Sequence, residues 1–409
     1  MTGRRLWIIS ELFYPEQTST GYFLSEIARG LASDHDVQVI CAQPTYSERG
    51  IKAPSREDWD GVKINRMWGS RFDKDRLLLR LVNVVTFTMT CMLFALSHIR
   101  RGDRVLVVTN PPTLFPFVGL VARIKRAQTM LLVHDVYPDV LSVTGHMRKE
   151  SFAYRLMDKF MRWACRQFDR IIVLGRDMQA LLYTKSGFPL EQIPIIPNWG
   201  DTELVKPVDR PQNAFAADHG MGDAFTVQFS GNIGRTHDVE TLLSAAKSTA
   251  DRPDIQYWFI GYGGKAAELQ GRDAQELANV FVLPRQPREV LGEMLASADV
   301  LVIAFVPGMK GLSVPSRMYN VMAAGTAIIA MTEPGSELAQ VVEETGCGWV
   351  IPPYDDAALK ELILSLATPE GRVERAEKGV AARRAACERY RLDNVLDAYR
   401  NVLATLRQD

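Results

Sequence analysis

The stretch "FSGNIGRTHDVETLL" (residues 229–243) runs from an apolar strand through a glycine-rich turn into a helical pattern. Gly231 and Gly234 let the backbone come close to a ligand. The helix that follows offers N–H groups and its positive dipole end to a phosphate. The spacing is neither G-x-G-x-x-G nor a Walker loop, because no Gly-Lys-Ser/Thr follows. The plain alternative is a tight strand–helix turn with no ligand. A second stretch, "GLSVPSRMYNVMAAGTAIIA" (311–330), repeats the theme. Ser316 reads as the N-cap of a short helix and Gly325 as its stop. Arg317 in a first helical turn opposes the helix dipole, which makes sense where an anion sits. An Arg pointing into solvent is the alternative.

Outward from these two stretches the same unit recurs. Apolar runs at 6–10, 37–42, 104–109, 129–134, 170–175 and 193–198 alternate with helical patterns. A second series lies at 225–231, 255–261, 280–284, 300–305, 327–331 and 348–353. Strands spaced by helices make parallel, doubly wound sheets, so two series predict an α/β protein of two Rossmann-like domains. We place the first at 1–200, a polar linker at 201–224, the second at 225–385 and a C-terminal helix at 386–409 that returns to the first domain. Such sheets bind ligands beyond the carboxyl ends of their strands. Function is therefore expected in "SELFYPEQTSTG", "TNPPTLFP", "HDVYPDV", "SGNIGRTHD", "GYGGK" and "PGMKGLSVPSR".

The 409 residues carry no formal net charge, but residues 1–200 hold 27 Lys+Arg against 19 Asp+Glu. A basic first half without a base-reading motif excludes duplex DNA and suits an anionic surface such as a membrane. Five scattered cysteines with no zinc spacing read as reduced thiols. Residues 81–99, "LVNVVTFTMTCMLFALSHI", contain no Asp, Glu, Lys or Arg and lie between basic flanks. We read 77–101 as lying in a membrane interface. A buried domain helix and a true span are the alternatives. The "DKD" at 73–75 has the Asp-x-Asp form of a metal motif but lacks a strand end before it, and no other cluster has metal spacing. No metal or other cofactor is expected.

Taken in order, several segments resemble the GT-B glycosyltransferases, specifically retaining family four. They are "LFYPEQTSTGYFLSEIARGLASDHDVQVICAQPTY", "LLVHDVYPDV", "FDRIIVLGRDMQALL", "IIPNWGD", "GNIGRTHDVETLLSAA", "FIGYGGK" and "VPSRMYNVMAAGTAII". The resemblance covers nearly the whole chain. The family's Glu-x7-Glu motif is altered, with Asn320 at its second position and Leu312 near its first. Asn232 and His237 stand at the usual Gly-Arg-Leu…Lys-Gly places, with Arg235 between them. The "GN-x-G-R" and "VPS-K/R-x-Y-N" variants resemble the subset that builds surface polysaccharides, including O-antigen L-fucosamine transferases and colanic-acid enzymes.

The resemblance implies a GT-B fold with an interdomain cleft. It implies transfer, with retention, of a sugar from a nucleotide diphosphate-sugar, a UDP-linked N-acetylated one. The acceptor would be a polyprenyl-diphosphate-linked sugar at the cytoplasmic face of the bacterial inner membrane. His134 would be catalytic, facing the transferred sugar. Gly231, Asn232, Gly234, Arg235, Arg285, Lys310, Gly311, Leu312, Ser313, Val314, Ser316, Arg317 and Asn320 would hold the donor, with Asn320 on the ribose hydroxyls. Thr20, Gly21, Asn110 and Asp135 would lie on the acceptor side. Asp139 reads as a solvent-facing or turn residue. The absence of a convincing pair of catalytic carboxylates excludes a hydrolase. A sugar-nucleotide epimerase of the same fold and a non-catalytic membrane scaffold are the competing classes.

Overall fold

The computed structural model describes residues 5–44, 52–70, 72, 77–269 and 277–406, so "DKD" at 73–75 lies outside the described residues. The chain divides into two compact units. The first comprises Met1–Ser142, Met147–Pro197 and Leu396–Asp409, the second Val143–His146 and Asn198–Val395.

Unit 1 is built on seven strands: β1 (Arg5–Ile9), β2 (Asp36–Cys41), β3 (Arg56–Trp59), β4 (Val62–Arg66), β5 (Arg104–Val108), β6 (Gln128–Val133) and β7 (Arg170–Val173). Their order is β3-β4-β2-β1-β5-β6-β7, and every pairing except β3–β4 is parallel. Ile8 sits centrally, opposite Val39 on one side and Leu106 on the other. These continuous apolar runs are buried because helices cover both faces of a parallel sheet. The helices are α1 (Ser19–Leu31), α2 (Leu77–His98), α3 (Leu114–Ile124), α4 (Asp139–Val143), α5 (Phe152–Cys165) and α6 (Arg176–Ser186). Thr18 caps α1, its hydroxyl accepting from the Gly21 N–H.

Unit 2 carries β8 (Phe225–Asn232), β9 (Ile255–Tyr262), β10 (Val280–Leu283), β11 (Val300–Ala304), β12 (Ala327–Met331) and β13 (Gly348–Ile351). They form an all-parallel sheet of order β10-β9-β8-β11-β12-β13. Phe229, Tyr257, Phe259, Val302 and Ile329 fill its core with Leu242 and Ile363 from flanking helices. Its helices include α7 (Ala214–Asp218), α8 (Val239–Ser248) and α9 (Arg317–Ala323), and α10 (Leu392–Thr405) runs from the end of unit 2 into unit 1.

Several expectations change. The β3–β4 hairpin turns at Asp60–Gly61, both at positive φ, and it does not stand out as an apolar run. "IPIIPN" forms no strand but a single bridge, Ile195 beside Val173, because Pro194 and Pro197 have no N–H to donate. The stretch 201–224 is folded into unit 2, with Val205, Phe215 and Met221 buried. Asp139 is neither solvent-facing nor a plain turn residue. It is buried, accepts from the Tyr154 hydroxyl at 2.9 Å and pairs with Lys185. Lys185 also reaches Asp158 at 2.8 Å, so α4, α5 and α6 are joined through one ammonium group. Helix α2 is long and apolar enough to cross a membrane, yet it packs along α3 with Phe87, Thr88, Cys91 and Ala95 buried.

Candidate functional site

The second sheet reverses its strand order between β8 and β11. Their ladder is short, with Val300 opposite Val227 and Leu301 opposite Gln228, so the strands part before their carboxyl ends. Such a switch point opens the crevice where α/β sheets take ligands. The loop 233–238 and the segment 305–316 flank it. On its other side β8 runs beside β9 to the tip, Gly231 opposite Gly261. A Cβ on Gly261 would lie 1.9 Å from the Gly231 carbonyl oxygen, so only glycine fits there. Gly231 has a φ of +119°, which side-chain-bearing residues rarely adopt.

Arg317 opens α9, and the structure shows what holds it against the dipole. Its guanidinium lies 4.7 Å from the Phe229 ring centroid. Nη1 donates to the Ser230 carbonyl at 2.8 Å and Nη2 to the Asn232 carbonyl at 3.0 Å. Nη2 also meets Nε2 of His237 at 2.9 Å. Burial pushes Arg317 down to about 10, so it stays charged at neutral pH. His237 is buried, and burial with the Arg317 charge holds it well below its ordinary range. It is therefore neutral. Nε2 is assigned as the acceptor from Arg317, which leaves the Nδ1 proton facing the Thr236 hydroxyl at 3.2 Å. Three of the five guanidinium N–H groups thus tie α9 to the end of β8 and the loop after it, leaving Nε–H and one Nη1 proton without a partner among the described residues.

Arg235 stands apart from this knot. It is exposed and lines a cavity of about 540 Å³ with Gly264, Lys265, Pro307 and Tyr354. The neighbouring Lys265 is engaged by Glu240 at 2.6 Å and by the His237 carbonyl at 2.8 Å. Among the described residues Arg235 has no ion-pair or hydrogen-bond partner. The start of α8, expected to face a phosphate with open N–H groups, is capped instead. Asp238 is fully buried and accepts from Thr241 N–H and Tyr354 N–H, both at 3.1 Å.

The other donor-side residues fall into three groups. Gly234 lies in the loop after β8 and accepts from the His237 N–H. Asn232 gives its carbonyl to Arg317 and leaves its side chain exposed. Lys310 donates to the Pro334 carbonyl at 2.7 Å. Gly311, Leu312 and Val314 are buried, so only their main chain can meet a ligand; Ser313 is half-buried beside them. Ser316 occupies the N-cap position of α9 without a side-chain capping bond. Arg285, after β10, places its guanidinium 5.6 Å from the Tyr262 ring. Asn320 accepts from the Asp201 N–H at 2.9 Å through Oδ1, which commits one of the two lone pairs of that oxygen.

Two residues, Glu333 and Thr109, escaped sequence reasoning. Glu333 accepts from the Gly308 and Lys310 N–H groups at 2.9 and 3.1 Å and so fixes the loop after β11. Its only sequence signal is a carboxylate just past the carboxyl end of an apolar run.

In unit 1 the strand order reverses between β1 and β5. Thr20 and Gly21 begin the helix after β1, and Asn110 follows β5. A Cβ on Gly21 would lie 2.7 Å from the Glu16 carbonyl, so the loop closes tightly on the helix. His134 and Asp135 follow β6. Thr109, also missed by the sequence reading, accepts the His134 N–H at 3.1 Å and anchors that turn to β5. Among the described residues the buried His134 Nε2 has no hydrogen-bond partner, and burial lowers the pKa to about 4. A buried polar atom left unpaired costs about 1–3 kcal/mol.

Among the described residues no three His, Cys, Asp or Glu side chains gather as metal ligands. Residues 20–199 match the glycosyl transferase 4-like domain, and residues 212–383 match glycosyl transferases group 1. The chain is 32% identical over 360 residues to the probable glycosyltransferase WbjE of Pseudomonas aeruginosa, covering 88% of each. It is 26% identical to the putative colanic acid biosynthesis glycosyl transferase WcaI of Escherichia coli, covering 81% of this chain and 84% of that one. Among solved structures, a sucrose-phosphate synthase from Thermosynechococcus elongatus superposes with a TM-score of 0.74 at 16% identity, covering 98% of this chain and 99% of the other. Anabaena HepE in complex with UDP superposes at 0.72 and 14% identity, covering 98% and 100%.

Proposed function

This chain belongs to the glycosyltransferases built from a 4-like domain and a group 1 domain, with the GT-B fold, and on that premise we propose its reaction. It moves a sugar, with retention, from a UDP-linked N-acetylated donor to a polyprenyl-diphosphate-linked acceptor in surface polysaccharide synthesis. The name of WcaI, a colanic acid biosynthesis enzyme, supports the polysaccharide setting, and the UDP complex of HepE supports the nucleotide. The observation that carries the donor half is Arg235, a guanidinium with no partner among the described residues, in a cavity at the carboxyl edge of the second sheet. The acceptor hydroxyl bonds to the anomeric carbon on the face that the diphosphate leaves. The departing phosphate oxygen takes the hydroxyl proton. The chain's own part is positioning and stabilising the leaving charge. Arginine and lysine serve the phosphates, so the reaction needs no metal. Incubation with UDP-N-acetylhexosamines and a polyprenyl-diphosphate sugar in EDTA should give glycosylated lipid and UDP in equal amounts. A requirement for magnesium or manganese would sink the metal-free reading, and product formed only with GDP- or dTDP-sugars would sink the UDP assignment.

The acceptor half of the proposal needs a lipid surface at the cytoplasmic face of the inner membrane, and α2 supports it. Leu81, Val85, Met89 and Leu93 recur every four residues and are all exposed, so they form one outward stripe. Phe117 of α3 and Phe152, Leu156 and Trp163 of α5 are exposed as well. Ser at positions 81, 85, 89 and 93 is expected to move the protein from the membrane to the soluble fraction with its melting temperature unchanged. Phe87 is buried and Phe94 touches Trp7, so substitutions there would test folding instead. Retention of the four-Ser variant on membranes after a salt wash would remove α2 from the contact.

A further inference from the structure

Unit 1 has a cavity of its own at the opposite edge of its sheet from His134. It lies at the amino ends of β5, β6 and β7 and has a volume of about 620 Å³, within the range of small-ligand sites. Four arginines line it: Arg101 before β5, Arg123 and Arg126 before β6, and Arg170 at the start of β7. Among the described residues the only carboxylate in the lining is Asp169. Its Oδ2 already accepts from the Thr129 N–H at 2.8 Å and from the Thr129 hydroxyl at 3.1 Å. Arg123 and Arg170 each donate to one backbone carbonyl, those of Arg166 and Asp169. Among the described residues none of the four forms an ion pair. Like charges gathered without counter-charge weaken the compact state. A phosphate group would relieve this, because its oxygens accept from several guanidinium forks at once.

We propose that the Arg101–Arg123–Arg126–Arg170 cavity is a phosphate-binding site separate from the sugar-transfer site, taking a phosphate or diphosphate group from either a soluble anion or a lipid headgroup. The site lies within unit 1 and does not depend on the donor reading, which concerns unit 2. The test compares the full chain with an Arg101→Gln/Arg126→Asn variant. Arg126 has a φ of +56°, which Asn tolerates better than Arg, so the variant should fold; melting and circular dichroism check this. Calorimetric titration with inorganic pyrophosphate reads the soluble source. Sedimentation with phosphatidylcholine vesicles, with and without phosphatidylglycerol, reads the lipid source. The variant is expected to bind pyrophosphate roughly tenfold more weakly or worse. An added loss of binding to anionic vesicles alone assigns the lipid headgroup, and unchanged vesicle binding assigns the soluble anion. Pyrophosphate affinity and vesicle partition both equal to wild type would overturn the site.

Discussion

His134→Phe should lower turnover by about 10²–10³-fold, the scale of losing one positioned polar group in a transfer site, while donor-nucleotide affinity stays within about twofold. Its melting temperature should not fall. The reason is the unpartnered Nε2. A ring nitrogen buried without a hydrogen bond weakens the folded state, so deleting it while keeping an aromatic ring removes a cost. A histidine kept for structure gives the opposite pattern, with lower stability and activity falling only in proportion. Normal turnover in a folded His134→Phe enzyme would return the residue to that structural role. With a pKa of about 4, the imidazole is neutral at physiological pH and can donate or accept a hydrogen bond without carrying charge into the site.

Arg317→Ala should lower the stability of unit 2 by about 2–4 kcal/mol, because it strands the Ser230 and Asn232 carbonyls and the His237 nitrogen and removes the contact with Phe229. Donor affinity should fall by at least about tenfold, since the loop after β8 loses its tie to α9. Scanning calorimetry and nucleotide titration read the two effects. Unchanged melting would contradict the hydrogen-bond knot, and unchanged affinity would place the diphosphate away from this loop. The same knot sets a pH dependence. His237 and His134 both have folded pKa values depressed below their ordinary 6.5. Below pH 6.5 the unfolded chain binds protons that the folded chain excludes. Stability is therefore fully present above about pH 6.5 and declines as pH falls toward 4. Removing the Arg317 charge should make that acid limb shallower, because its repulsion of a protonated His237 is gone.

The two sheets were legible because their strands are short apolar runs buried on both faces, a pattern that survives in one dimension. "AIIAM" is β12 to the residue. The first-domain hairpin carried a readable signal, the Asp60–Gly61 turn, but β3 alternates exposed and half-buried residues and gives no apolar run. In "IPIIPN" the apolar content was legible and the missing proline donors were underweighted. The site was legible in its places rather than its partners. Sequence puts Arg317 at a helix start, where the dipole opposes it. The acceptors that stabilise it lie 80 and 87 residues away, at His237 and Ser230, and no local pattern connects them. Asn320 likewise meets Asp201 across 119 residues, so a role inferred from a motif position met a partner that only the fold supplies.

Helix α10 carries a consequence for the order in which this protein is made. Tyr399 and Leu403 are buried among the residues of unit 1. The Gly30 backbone lies so close to Leu396 that an added Cβ would meet its side chain at 2.4 Å. Arg400 reaches Asp34 at 2.7 Å and the Gly30 carbonyl at 3.2 Å. The first unit to leave the ribosome is therefore unfinished when the second begins to fold, and it waits for a helix encoded after the whole of unit 2. Domains that fold as they emerge do so from the N-terminus onward. Here the core of unit 1 is completed only by residues that follow unit 2 in the chain.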